Sequence, residues 1–138
     1  TDRRMRLCFI LCSDSDYLPR EQLKKMGLVM KKSCMAKNDV TEDDIGTIEQ
    51  GKFIETRNVM CYIGCVYTMS LMVKNNRLNL EALEKQVDIL FPAEMKGPVK
   101  EAAVQCKDTM KAYKDLCESS YWSAKCMYEY DPKNFFFA

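Results

Sequence analysis

The stretch CKDTMKAYKDLCESSYWSAKC, residues 106–126, places three cysteines along a helical pattern with ten and then eight residues between them. Upstream, Cys34, Cys61 and Cys65 extend this to the order C-x26-C-x3-C-x40-C-x10-C-x8-C. With eight cysteines in 138 residues, such a framework marks a disulfide-stapled secreted domain rather than a reduced cytosolic enzyme. The chain is long enough for one domain with its own core, so bridges here add rigidity rather than rescue an unfoldable peptide.

Around these cysteines, apolar residues recur at three- and four-residue steps. Leu23, Met26, Met30 and Cys34 predict a first helix over 19–33, with Pro19 suited to its first turn. Thr41, followed by Glu42, Asp43 and Asp44, is a capping start for a short second helix reaching about Gln50, and Gly51 marks its end. A third helix is expected over 55–74, with Cys61, Cys65, Thr68 and Met72 on one face and Asn75 and Asn76 ending it. Asn79 caps a fourth, stapled by Leu78 and Leu83, whose inward stripe is Leu80, Leu83, Val87 and Leu90 and which stops at Pro92. Gly97 and Pro98 open a fifth that runs to Cys117 through Val99, Ala103, Cys106, Met110 and Tyr113. A sixth covers 118–130 until Asp131 and Pro132 break it. The pattern predicts no strand, repeat or linker.

Composition excludes several classes of function. Twenty-one basic and twenty acidic residues leave a net charge of +1, so nothing electrostatic favours nucleic acid or an anionic membrane. No apolar run has the length of a membrane span. The chain contains no histidine, which removes the commonest general base and the usual activator of serine and cysteine nucleophiles. Zinc is disfavoured because neither CxxC pairs nor cysteine–histidine spacings occur. The acidic residues, Glu42, Asp43 and Asp44 among them, read as solvated helix faces rather than a glycosidase pair. Neither a cofactor, a metal nor an enzymatic activity is expected.

Cys61 and Cys65 lie one turn apart on a helix, so a bond between them would strain it, and both should pair with other helices. Six cysteines still allow 15 connectivities. The intervals resemble the six-cysteine signature of insect odorant-binding proteins of the pheromone and general-odorant carrier type, a likeness covering roughly residues 17–138. It implies an all-α, six-helix, disulfide-linked bundle enclosing a hydrophobic cavity. It also implies the interlocked pairs Cys34–Cys65, Cys61–Cys117 and Cys106–Cys126. The function it implies is a secreted, non-enzymatic carrier of a small hydrophobic ligand, with an odorant receptor or a second copy of the chain as further partners. An empty apolar void costs stability in proportion to its volume, and the bridges offset that cost.

Ten methionines suit a pocket that accepts varied shapes, although methionine is as often plain core. Candidate lining residues on inward helix faces are Met26, Met30, Met72, Leu83, Val87, Leu90 and Met110. Thr68 offers a hydroxyl to a ligand or to its own helix backbone, while Tyr113 and Tyr121 each present a large ring with a polar tip. The resemblance adds Trp122, where relatives present an aromatic residue to ligand. It also adds the tail from Asp131 through Pro132, Lys133 and Asn134 to Phe135 and Phe136, which packs over the cavity in general odorant carriers. Three consecutive phenylalanines at a solvated terminus would otherwise expose a costly apolar patch.

Residues 1–16 depart from the common pattern. They carry Arg3, Arg4, Met5 and Arg6, a short apolar run from Leu7, and two extra cysteines, Cys8 and Cys12, for which a fourth intramolecular bridge is the favoured state. Without histidine, acid-triggered release must fall to carboxylates such as Asp131 or that of Ala138, so weak pH dependence above about 6 is expected. A secreted signalling ligand and a scavenger of lipids or amines are the alternative uses of the scaffold.

Overall fold

A computed structural model of the chain describes residues 20–137, so the expectations for Pro19, Ala138, Cys8 and Cys12 fall outside the described residues. Within that range the fold is all-α. In chain order come α1 (Arg20–Asn38), the single turn α2 (Glu42–Ile45), a 3-10 turn (Ile48–Gln50), α3 (Arg57–Met69), and two short strands, β1 (Val73–Lys74) and β2 (Arg77–Leu78). Then follow α4 (Leu80–Leu90), α5 (Ala93–Gln105), α6 (Lys107–Ala112), α7 (Leu116–Tyr130) and a second 3-10 turn (Pro132–Asn134).

Local chemistry sets most of these boundaries. The Asn79 side chain accepts the Ala82 N–H at 2.9 Å, and Asp115 accepts the Glu118 N–H at 2.9 Å, so each satisfies an orphan donor of the helix it opens. At the start of α2 the Asp44 carboxylate accepts the Thr41 N–H at 2.8 Å. That helix closes after one turn, and the stretch to Gln50 is a separate 3-10 turn ending at Gly51, whose φ of 89° is left-handed. A Cβ at Gly51 would also collide with the Tyr128 ring, so the turn requires glycine on two counts.

Helix α3 stops at Met69, five residues earlier than its pattern predicts. Leu71 adopts a left-handed φ of 61°, its N–H reaches the Thr68 carbonyl at 3.0 Å, and the Met72 N–H reaches the Tyr67 carbonyl at 3.0 Å. This is a Schellman closure with leucine where glycine is usual. The chain then makes a two-residue hairpin on Asn75 and Asn76, both at positive φ (54° and 62°), pairing Val73 with Leu78 and Lys74 with Arg77. A turn of that hand suits the twist of the flanking strands. The prediction of no strand is corrected here: the Asn-Asn pair closes a hairpin instead of merely ending a helix.

The expected fifth helix divides. It begins at Ala93, with Met95 buried and its N–H on the Pro92 carbonyl at 2.9 Å, so Gly97 and Pro98 sit inside α5 rather than before it. It bends at Cys106 (ψ 12°) and ends in extended backbone at Tyr113 (ψ 132°). The six predicted helices thereby become seven among the described residues.

The most extensive helix pairing is α3 with α7, followed by α1 with α3. Gly64 permits the first, since a Cβ there would lie 3.1 Å from the Leu116 side chain. Bridges Cys34–Cys65, Cys61–Cys117 and Cys106–Cys126 tie α1 to α3, α3 to α7, and the α5–α6 joint to α7. These are the pairs the family resemblance implies. Ser119, fully buried on α7, links three elements: its hydroxyl accepts the Leu78 N–H at 3.3 Å and donates to the Met110 carbonyl at 3.0 Å.

Candidate functional site

The Schellman turn that ends α3 brings Tyr67 and Met72 together, as the end residues of that motif tend to meet. Both line two apolar pockets that share a wall. The first, a partly open hollow of about 50 Å³, lies among Leu83 and Val87 of α4, Pro98, Val99 and Ala102 of α5, Met127 of α7, and the tail residues Asp131, Asn134, Phe135 and Phe136. The second, also about 50 Å³, lies among Leu23, Met26 and Met30 of α1, Val66 and Ser70 near the end of α3, Leu90 of α4, and Phe136 and Phe137. Tyr67, Met72, Phe91 and Phe136 belong to both walls.

The tail closes this region with rings. Phe136 meets Phe91 edge-on at 5.9 Å. Phe137 meets Tyr67 at 5.6 Å and Tyr62 at 6.2 Å, both edge-on, and Phe135 packs against Tyr128 at 5.4 Å. Offset and edge contacts of this kind hold aromatic rings in fixed orientation. The Phe137 N–H also donates to the Glu49 carboxylate at 3.4 Å, and Asn134 donates to Asp131 at 2.8 Å.

Polar chemistry in the walls is sparse. Ser70 donates to the Val66 carbonyl at 2.8 Å and lies 3.3 Å from the Met30 sulfur. Burial pushes the Tyr67 phenol above its ordinary range, so it stays protonated at physiological pH. Tyr62 is raised as well, first by burial and then by the charge of Glu42. Among the described residues, no cluster of three or more histidine, cysteine, aspartate or glutamate side chains is placed to hold a metal ion. No described helix is long and apolar enough to cross a membrane.

Of the residues singled out in the sequence, Met26, Met30, Met72, Leu83, Val87, Leu90, Phe135 and Phe136 come together around the two pockets. Five others stand elsewhere. The Thr68 hydroxyl donates to the Gly64 carbonyl at 2.8 Å, the backbone use of that group. Met110 is buried against the hairpin and borders a separate groove beside Lys74, Arg77 and Lys111. Tyr121 is buried, with its hydroxyl on the Phe53 carbonyl at 2.9 Å. Trp122 stacks on Tyr113 at 6.4 Å and meets Tyr121 edge-on at 4.9 Å, with the Lys125 ammonium 5.4 Å from its ring. At 3.6 residues per turn, Trp122 points about 140° away from Met127, the α7 residue that reaches the first pocket.

Sequence reasoning missed Tyr67, Phe91, Pro98, Val99, Ala102, Met127 and Phe137 as wall residues. Two signals were available. Tyr67 directly follows the Cys65–Val66 pair within the third helical pattern, and Phe91 stands beside the helix-stopping Pro92.

The class these features define is a disulfide-linked helical bundle built around apolar pockets. The profile of the PBP/GOBP family matches residues 18–130, and the chain belongs to that family. It is similar to general odorant-binding protein 72 of Anopheles gambiae, 26% identical over 116 residues, which covers 84% of this chain and 96% of that one. Among solved structures it is similar to odorant binding protein 5 of Apis mellifera (TM-score 0.80, 27% identity, 88% of this chain and 99% of that one). Odorant binding protein 4 of Chrysopa pallens is similar too (TM-score 0.79, 29% identity, 88% and 99%).

Proposed function

We propose that the protein is a non-enzymatic extracellular carrier that takes a small hydrophobic molecule into the paired pockets and shields it from water. What carries this reading is the juxtaposition of two apolar hollows behind one wall of Tyr67, Met72, Phe91 and Phe136, in a chain whose relatives are named odorant-binding proteins. Binding is driven by burial of apolar ligand surface at roughly 25 cal/mol per Å², with a few polar groups to orient the ligand. The relatives named odorant-binding proteins support binding rather than chemistry as the use of these pockets. The macromolecular partners this reading admits are a receptor and a second copy of the chain.

The test is displacement of an environment-sensitive apolar dye from the oxidised protein by volatile alcohols, ketones and aromatics. Saturable dye uptake that these compounds reverse supports the reading. An oxidised, folded protein that takes up neither the dye nor any of them refutes it.

A further inference from the structure

We propose that the groove between the β1–β2 hairpin and α6 is a second binding site, separate from the apolar pockets, that takes a small multivalent oxyanion, a solute bearing phosphate or sulfate groups.

The two elements bring like charges together twice over. Lys74 and Arg77 are cross-strand partners in the hairpin, and like charges directly opposite each other destabilise a strand pair. Lys107 and Lys111 stand four residues apart on α6, a spacing at which like charges also repel. Lys107 opens that helix as well, where the backbone's own partial charge is positive. All four cations line one groove, with Glu81 the one carboxylate in its described wall. The chain as a whole carries a net charge of only +1, so composition does not account for this concentration. Among the described residues none of the four forms an ion pair, while Lys31, Arg57 and Lys100 each meet a carboxylate.

The groove is shaped as well as charged. Arg77 Nη1 donates to the Lys111 carbonyl at 3.2 Å, which holds the guanidinium across the gap between hairpin and helix. Among the described residues its other N–H groups have no partner, and such a planar fork of donors suits phosphate and sulfate oxygens. Lys74, Lys107 and Lys111 are exposed and add point charges on flexible stems. The floor is the buried pair Leu78 and Met110, and the volume, about 610 Å³, leaves room for an anion with part of its hydration. These features favour a solute over a membrane. A bilayer surface is met by projecting cations and exposed apolar side chains, whereas here the guanidinium is half-buried and the apolar residues lie beneath it.

The test is titration of the oxidised full chain with inorganic pyrophosphate and, separately, with sulfate, read by the amide resonances of Asn75, Arg77, Lys107 and Lys111. Saturable shifts centred on those positions, with either anion, support the site, and the tighter anion names the group it takes. Raising the salt from about 10 to about 150 mM shortens the reach of the charges from roughly 30 to 8 Å and weakens binding about tenfold. Lys74→Gln with Lys107→Gln weakens it about tenfold at low salt, and Lys74→Arg with Lys107→Arg retains it. Absence of saturation below about 10 mM of either anion, or equal affinity in the glutamine variant, overturns the proposal. So does protein that sediments with phosphatidylserine vesicles while binding neither solute. Should the glutamine variant fail to fold, wild type decides: shifts spread over the whole surface, or indifferent to salt, overturn the site. Each of these failures leaves the carrier reading in place, since uptake of the apolar dye is measured apart from the groove.

Discussion

Replacing Phe137 by alanine tests whether the aromatic tail is part of the folded core. The side chain is 4% exposed, so its removal forfeits about 1.5–3 kcal/mol of apolar burial. It also forfeits two edge-on ring contacts, at 5.6 Å to Tyr67 and 6.2 Å to Tyr62, each worth about 0.5–1.5 kcal/mol. The sum approaches the range for core phenylalanine truncations, but a residue next to the terminus can relax by letting the tail peel away, which lowers the observed loss to about 3 kcal/mol. For a chain of this length that corresponds to a melting point lower by about 10 °C. Urea unfolding of the oxidised protein, followed by circular dichroism, measures the loss. Phe137→Leu, which keeps most of the apolar volume, recovers more than half of it. A Phe137→Ala variant within about 0.5 kcal/mol of wild type would show that the tail is not packed in solution, and the second pocket would then lack its floor.

Two serines on α7, one turn apart, separate a bonded from an unbonded hydroxyl. Ser119→Ala orphans the Leu78 N–H and the Met110 carbonyl and costs about 2–4 kcal/mol, whereas Ser123→Ala, whose hydroxyl is buried without a protein partner, is neutral or stabilising; equal urea midpoints for the two variants would contradict this. Leu71→Gly relieves a left-handed leucine that is 67% exposed and raises stability by about 0.5–1 kcal/mol; a lower melting point would mean that the leucine makes contacts worth more than its strain. The Arg57 guanidinium, hydrogen-bonded to Asp115 at 2.7 Å, and then the Glu118 N–H hold the Asp115 carboxyl below the usual range. A depressed folded value contributes stability above the unfolded value near 4 and loses it as pH falls through the folded value. Unfolding midpoints are therefore flat from pH 8 to 6 and decline only below about 4, with Asp115→Ala losing about 1 kcal/mol of capping at neutral pH; a steep change between pH 7 and 6 would contradict it. Reduction of the three bridges removes on the order of 10 kcal/mol of constraint on the unfolded chain, so a reduced protein with the melting point and dye affinity of the oxidised one would disprove their role.

Sequence periodicity was most reliable where one helix meets the core along a single stripe. Leu83 and Val87 are buried on α4, and Asn79 caps it as its side chain predicts. It failed where backbone geometry outweighs pattern. Nothing in the apolar spacing tells Met69 from Met72; what ends α3 is the left-handed turn at Leu71, a conformation leucine adopts only under tertiary compulsion. Gly97 and Pro98 misled for the converse reason, since Met95 needs to be helical to reach the core and its burial outweighs the hydrogen bond that Pro98 cannot donate. Trp122 shows the limit of carrying a position across a family. The resemblance assigned a role to an aromatic between Cys117 and Cys126, but in this chain the rotation of α7 turns that ring toward Tyr113 and leaves Met127 facing the first pocket.

The distribution of bridges over the pocket walls divides the protein into a frame and a movable part. Every described cysteine lies on α1, α3, α7 or at the α5–α6 joint, and those elements contribute Met30, Tyr67, Ala102 and Met127 to the walls. Helix α4 carries none, yet it supplies Leu83, Val87 and Leu90, and the tail, also without cysteine, supplies Phe135 to Phe137. These two wall elements are free of covalent ties between helices; apart from the Lys100–Asp88 ion pair on α4 and the Phe137–Glu49 hydrogen bond on the tail, they rest on apolar and aromatic contacts that are individually weak enough to re-form around a different shape. On the carrier reading, the stapled helices form the rigid side of the pocket walls, and α4 and the tail form the side able to adjust. That arrangement reconciles a frame fixed by three bridges with a wall that adapts to the shape of what it encloses.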